Sequence, residues 1–292
     1  MITRKKFRLR LPSSTMVLGE RTLLMGVVNV TPDSFSGDGL HLDAKAAVAR
    51  ALEMERDGAD IIDIGGESTR PGAEWLAADE ELRRVIPVLK LLRGRLKIPI
   101  SIDTNKSEVA EAAAEAGAEI INDVTALRRD RRIAEVARRH KLPLILMHMR
   151  GEPGTMQTAP FARDVMRDVT QSLKKAAALA ARCGIRKSQL VLDPGIGFGK
   201  SFAQNYELIA RLPELARLGF PILAGPSRKG FIGRTLGGIP ENERVFGTAA
   251  AVTACILQGA HIVRVHDVSE MAQVARVADM LVSPELRRRT QQ

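Results

Sequence analysis

Eight short apolar runs of this 292-residue chain end at polar or ionisable positions. The residues are Asn29, Asp63, Asp103, Asn122, His148, Asp193, Ser227 with Lys229, and Arg264 with His266. Asp and Asn side chains accept and donate in-plane hydrogen bonds. Gathered around one pocket, they suit a flat heterocycle that bears amino, ring N–H and carbonyl groups. Lys229, Arg264 and His266 are cationic or can become so, and suit a phosphate or pyrophosphate. Asn29 offers an oxygen, the ligand type that Mg²⁺ prefers. Any single Asp is explained equally well as a helix cap or turn residue. Eight such ends in register are not.

These residues can act together only if the scaffold brings strand ends to one place. The apolar runs predict strands at 24–29, 60–64, 99–103, 120–124, 144–148, 189–193, 220–224 and 262–265. Amphipathic spacing predicts helices between and after them, at 43–56, 75–92, 106–116, 131–140, 161–181, 204–212, 242–257 and 269–281. Strand–helix alternation argues for a parallel sheet. Eight units favour closure into a single (β/α)8 TIM barrel of α/β class, because closure removes edge strands. In that fold the carboxyl ends of the strands converge on the mouth where active sites sit. A weak repeat agrees: Gly58-Ala59-Asp60-Ile61-Ile62, Gly117-Ala118-Glu119-Ile120-Ile121 and Gly259-Ala260-His261-Ile262-Val263 share one pattern. Each Gly is placed to end a helix, and each apolar pair to start a strand.

Composition narrows the function. Hydrophobic residues make up 45% of the chain, enough for a sizeable core, and aromatics only 3%, so that core is mostly aliphatic. No Pro/Gly/Ser-rich linker divides the chain. The reading is a basic N-terminal extension at 1–20, a barrel at 21–284 and a basic tail at 285–292. Net charge is +10, concentrated near the N-terminus, at 128–139 and at 287–289. Such runs are usually solvated faces. With so few aromatics to stack on bases, a nucleic-acid partner is not expected. Cys183 and Cys255 read as structural thiols, not a disulfide framework. There is neither a signal-peptide pattern nor an apolar run of membrane-span length, so no membrane partner and a cytoplasmic location are expected. Gly199-Lys200-Ser201 resembles the end of a phosphate-binding loop, but Pro194 stands where that motif needs Gly. No Cys/His cluster has zinc spacing.

The residues also carry a resemblance. The chain is similar to the dihydropteroate synthase family of the bacterial folate pathway. The matching stretches are Asn29-Val30-Thr31-Pro32-Asp33-Ser34-Phe35-Ser36, Asp63-Ile64-Gly65-Gly66-Glu67-Ser68-Thr69-Arg70-Pro71-Gly72, Ser101-Ile102-Asp103, Ile121-Asn122-Asp123, Asp193-Pro194-Gly195-Ile196-Gly197-Phe198-Gly199-Lys200, Ser227-Arg228-Lys229 and Val263-Arg264-Val265-His266-Asp267. They run from the first strand to the eighth.

The resemblance implies a transferase that joins p-aminobenzoate to 6-hydroxymethyl-7,8-dihydropterin diphosphate, with release of pyrophosphate. It implies that Asp103, Asn122, Asp193 and Lys229 hold the pterin, with Arg264 stacked on its face. Asn29, Arg264 and His266 would hold the diphosphate with Mg²⁺, Asn29 as metal ligand and Asp63 at the floor of that side. Phe35, Thr69, Arg70, Pro71 and Phe198 would shape the p-aminobenzoate pocket, where sulfonamides would compete. Lys229, Arg264, His266 and Asp103 are the implied catalytic set, and a homodimer through late helices the implied assembly. The family often has Ser after Ser-Arg-Lys, where it helps to bind the p-aminobenzoate carboxylate; here the residue is Gly230, and backbone N–H groups would have to serve. Two alternatives share the pterin contacts: a methyltetrahydrofolate–corrinoid methyltransferase and a non-catalytic pterin-binding protein. The first would not need Thr69-Arg70-Pro71 or Ser227-Arg228-Lys229, and the second would be expected to have lost Arg264, His266 or the loop after the first strand; all are present.

Overall fold

A computed structural model of the protein describes residues 4–31, 40–68, 72–156 and 162–289. Eight strands form one parallel sheet: β3 (Leu23–Asn29), β4 (Ile61–Gly65), β5 (Ile100–Asp103), β6 (Ile120–Asp123), β7 (Leu144–Met147), β8 (Leu190–Asp193), β9 (Leu223–Ala224) and β10 (Ile262–Val265). They lie in the order β8-β7-β6-β5-β4-β3-β10-β9. The two ends of that order meet through a parallel bridge between Leu192 and Ile222, so the barrel closes. The expected last-but-one strand at 220–224 is shortened to two residues. Pro221 has no N–H to donate to a ladder; its carbonyl accepts from Leu192 N–H at 3.0 Å.

Register decides which side chains face inward. Asp63 lies opposite Ser101, Asp103 opposite Asn122, Met147 opposite Asp193 and Arg264 opposite Met25. Residues opposite one another share a face, and the face alternates along each strand. Ile62, Ile64, Ile102, Leu144, Leu146, Leu192 and Val263 therefore face outward, into the core shared with the helices. Met25, Ile61, Ile120, Ile145, Val191 and Ile262 face inward and fill the lower barrel. Two residues beyond Ile61, Ile120, Val191 and Ile262, and two beyond inward Ser101 on β5, the inward positions are Asp63, Asn122, Asp193, Arg264 and Asp103. One period-2 pattern thus gives both the apolar plug and the polar mouth.

The helices that cover the sheet are α1 (Leu40–Arg56), α2 (Ala78–Leu92), α3 (Ser107–Ala116), α4 (Arg132–His140), α5 (Val165–Arg182), α6 (Phe202–Ala210), α7 (Leu212–Ala216), α8 (Gly230–Thr235), α9 (Val245–Leu257), α10 (Val268–Val282) and α11 (Pro284–Arg289). The repeated Gly58, Gly117 and Gly259 have φ of 104°, 110° and 98°, the left-handed helix-ending conformation their pattern predicts. The single helix expected at 204–212 is two, α6 and α7. Pro213 cannot donate to the preceding turn, so the helix stops at Arg211 and restarts with proline in its first turn.

The stretch read as a basic extension contains a hairpin, β1 (Phe7–Arg10) and β2 (Thr15–Leu18). Its Leu9, Leu11 and Leu18 close the amino-terminal end of the barrel against Ile61, Ile145 and Val191. Arg4 is buried: it ion-pairs with Asp279 of α10 and donates to Thr22 Oγ1 at 2.6 Å and Ala260 O at 3.1 Å. At the other end, α11 enters the stretch read as a tail. Among the described residues no helix is long and apolar enough to cross a membrane.

Candidate active site

The mouth holds an outer chamber of about 380 Å³, lined by residues that include Asn29, Glu67, Ser68, Ser227, Arg264 and His266. Beneath it, Asp103, Asn122, Asp193, Phe198, Lys229 and Arg264 surround an inner chamber of about 20 Å³. That is room for about one water. The Lys229 ammonium rests over the Phe198 ring, 3.9 Å from its centroid. A planar ligand can enter only if these side chains part.

Arg264 organises the centre. Its Nε donates to Asp63 Oδ2 at 2.7 Å and its Nη2 to Asp103 Oδ2 at 2.8 Å. Asp63 Oδ2 also accepts from Asn122 Nδ2 at 3.1 Å. Asp63 is fully buried and lines neither chamber; it sets the orientation of Arg264 and Asn122 from below. Burial pushes the Asp103 carboxyl up, Arg264 opposes that, and neighbouring Asp63 adds to it. Asp193 is pushed up to about 6 by burial, although it accepts a hydrogen bond from Gly195 N–H at 2.7 Å. Lys229 is pushed down to about 8, first by burial and then by Arg264.

His266 corrects one expectation. Counted with the cations from sequence, it is pushed down to about 3 by burial and by Arg264, and so is neutral near pH 7. Its backbone N–H donates to Ser227 Oγ at 3.2 Å, and its Nδ1 lies 3.0 Å from the same oxygen. Ser227 can accept the first bond and donate its own proton in the second. That tautomer leaves N–H on Nε2.

The loop after β8 is shaped by contacts that only glycine permits. At Gly195 (φ 66°) a Cβ would lie 1.9 Å from His148 O, and at Gly199 (φ 64°) 2.2 Å from Arg150 O. Lys200, in the stretch that resembled a phosphate loop, is buried; its Nζ donates to His148 O at 2.9 Å and Gly195 O at 2.7 Å. It reaches the lining of the outer chamber, but its ammonium is engaged by backbone carbonyls and holds the loop together. Asn205 completes the support, accepting from Gly197 N–H at 2.6 Å and donating to Ser201 O at 2.8 Å.

The structure brings together Asn29, Asp103, Asn122, Asp193, Phe198, Lys229, Arg264 and His266, with Asp63 below them. His148 is not part of the mouth. The inward residue of its strand is Met147, and the His148 ring faces Asp168 of α5 at 3.4 Å. Phe35, Thr69, Arg70 and Pro71 lie outside the described residues. Gly230 lines the outer chamber, and a Cβ there would meet nothing within 4 Å. Sequence reasoning missed Asn205. Its trace was the Ser201-x-x-Gln204 spacing, which forms a capping box and starts α6 beside the loop. Among the described residues there is no group of three or more His, Cys, Asp or Glu side chains that could hold a metal. A Mg²⁺ held by one protein oxygen, waters and substrate phosphate needs no such group, and Asn29 at the chamber wall fits that donor set.

A closed barrel with an acid-and-amide inner chamber under a cationic outer one defines a class: an enzyme that seats a polar heterocycle and an anion side by side. The profile of the family described as "Pterin binding enzyme" matches residues 25–266. The dihydropteroate synthase of Synechocystis sp. is 50% identical over 263 residues, covering 90% of this chain and 91% of that protein. Among solved structures, Yersinia pestis dihydropteroate synthase in a sulfonamide drug complex superposes with a TM-score of 0.88 at 41% identity, over 94% of this chain and 99% of the other. Xanthomonas albilineans dihydropteroate synthase in complex with 7,8-dihydropteroate gives 0.85 at 42%, over 94% and 98%. The chain belongs to the pterin binding enzyme family, as a member of its dihydropteroate synthases.

Proposed function

We propose that the protein condenses 6-hydroxymethyl-7,8-dihydropterin diphosphate with p-aminobenzoate, giving 7,8-dihydropteroate and pyrophosphate. One observation carries the reading: an inner chamber of Asp103, Asn122, Asp193 and Lys229 opens, across Arg264, onto an outer chamber with His266 and Asn29. The first set matches the hydrogen-bonding edges of a pterin, and the second matches a diphosphate. The relatives carry the synthase name over about nine-tenths of the chain, which favours this reading over a methyltransferase or a non-catalytic binder.

In this reading Asp103 and Asp193 accept from the amino and ring N–H groups, while Asn122 and Lys229 donate to ring acceptors. The ring displaces the Lys229–Phe198 stack on entry. Arg264 exchanges part of its hold on Asp103 for the pterin face and the diphosphate, and Asp63 keeps it aimed. Cleavage of the C–O bond leaves negative charge on the departing pyrophosphate. Arg264 and the Nε2–H of His266 stabilise that charge. Positive charge grows on the pterin methylene, and the carboxylates beside the ring favour it. The amine of p-aminobenzoate is nucleophilic without a strong base, so no nucleophilic side chain is required. Asn29 would hold Mg²⁺, which when bound supplies charge neutralisation for the diphosphate. Phe35, Thr69, Arg70, Pro71 and Phe198 would form the p-aminobenzoate pocket, and sulfonamides would compete for it. Backbone N–H groups at the start of α8, that of Gly230 among them, would meet the p-aminobenzoate carboxylate.

We place the enzyme in the cytoplasm as a homodimer. Phe246 of α9 is 85% exposed, and Val277 and Leu281 of α10 are exposed too; these apolar side chains support an interface through the late helices. The catalytic assignment is tested by Lys229→Ala and Asp103→Ala. Each is expected to lose most turnover while circular dichroism stays native. Near-normal turnover in both variants refutes it.

A further inference from the structure

Behind the wall of the outer chamber lies a buried cluster of charge that the chemistry above does not use. Glu67 lines the chamber at the start of the β4–α2 loop. Its Oε2 accepts from Asn105 Nδ2 at 2.6 Å, and its Oε1 accepts from Lys106 Nζ at 3.0 Å and from the backbone N–H of Leu76 on the returning limb of the same loop. Lys106, at the start of α3, also donates to Glu81 Oε2 of α2 at 2.5 Å. All three charged side chains are buried: Lys106 8% exposed, Glu67 9% and Glu81 0%. One ammonium thus joins the loop to two helices, and supplies the only cation that either acid touches among the hydrogen bonds described.

Glu81 Oε1 and Asn105 Oδ1 have no hydrogen-bond partner among the described residues, so the cluster is short of donors even with Lys106 in place. Burial already pushes the Glu81 carboxyl up, and Lys106 opposes that. Without Lys106, Glu67 would stand at the chamber wall as an uncompensated carboxylate. An anionic ligand would be repelled, and Glu67 would lose its ion pair with the start of α3 while keeping its hydrogen bonds from Asn105 and Leu76.

We propose that Lys106 is a positioning residue for p-aminobenzoate: by holding and neutralising Glu67 it fixes the chamber wall that this anionic substrate meets. The inference rests on the synthase reading. Lys106 stands behind Glu67 and acts through it. Neither residue lines the inner chamber; Glu81 and Glu67 reach it only through their charge on Asp103, so pterin affinity should change far less than the KM for p-aminobenzoate.

The experiment measures KM for p-aminobenzoate, and the Kd of 6-hydroxymethylpterin as an uncharged ligand of the inner chamber, in the wild type and three variants. Lys106→Met removes the charge. Lys106→Met with Glu81→Leu removes it without leaving Glu81 unpaired, which protects the fold. Lys106→Arg keeps the charge. Both Met variants should raise KM by about tenfold and leave the pterin Kd within about twofold, with Lys106→Arg nearer the wild type. An unmoved KM, an equal loss of pterin affinity, or an Arg variant no better than Met overturns the proposal. A wild-type protein without p-aminobenzoate-dependent turnover overturns the underlying reading instead, and that is measured first.

Discussion

Replacing Arg264 by methionine should damage stability and chemistry separately, and a second substitution should restore only one of them. In the native protein Arg264 donates to Asp63 at 2.7 Å and Asp103 at 2.8 Å. Asp63 is fully buried, and its remaining donor is the neutral Asn122 amide. Arg264→Met leaves that carboxylate in the barrel without a cation, which costs about 3–5 kcal/mol when one partner of a buried pair is removed. Asp103 contributes less, because its side chain is 12% exposed to the chamber. Adding Asp63→Asn removes the stranded charge and keeps an acceptor for Asn122, so the double variant should regain more than half of the lost stability. Catalysis should not return. A preorganised donor to developing oxyanion charge is worth about 2.7–4 kcal/mol, or a factor of about 100–1,000 in turnover. Urea unfolding and pyrophosphate release on the wild type, Arg264→Met and the double variant give both quantities. If the double variant is as unstable as the single one, Asp63 is not the counter-charge. If its turnover recovers, Arg264 does not act on the diphosphate.

Three further outcomes are expected. The profile of kcat/KM against pH should be bell-shaped. It should fall below about 6 as Asp193, pushed up by burial, gains a proton, and above about 8 as Lys229, pushed down by burial and Arg264, loses one; a flat profile across that range contradicts the assignment of either group to substrate binding. Leu18→Ala in the hairpin should lower unfolding free energy by about 3 kcal/mol with kcat unchanged, since Leu18 is fully buried at the barrel base; a loss under about 1 kcal/mol would show that the hairpin does not plug the barrel. Gly230→Ser should leave stability within about 0.5 kcal/mol, because a Cβ there meets nothing within 4 Å, and should lower KM for p-aminobenzoate; an unchanged or higher KM would show that this position does not face the carboxylate.

Much of the barrel was legible because its signal is local and repeated. Ile61-Ile62-Asp63 and Ile262-Val263-Arg264 alternate core, helix-facing and mouth positions within three residues, and β10 spans the expected 262–265. The hairpin was hidden because its strands have four residues each and lie among five basic side chains, Arg4, Lys5, Lys6, Arg8 and Arg10. The alternation that buries Leu9 beside exposed Arg8 and Arg10 was present but short. His148 was misplaced for a different reason. Period 2 puts Met147 inward, so a polar residue one step past it turns outward to Asp168. The neutral state of His266 and the Arg264 fork depend on burial and on partners more than 160 positions away, Asp63 and Asp103. No spacing within a single segment encodes either.

The most direct test of the central claim is pyrophosphate release by the purified protein, given 6-hydroxymethyl-7,8-dihydropterin diphosphate and Mg²⁺, with and without p-aminobenzoate, and with the pterin product identified by mass. Release that depends on p-aminobenzoate and yields 7,8-dihydropteroate is the predicted result. Pterin binding with no such release, or release that p-aminobenzoate leaves unchanged, would contradict it.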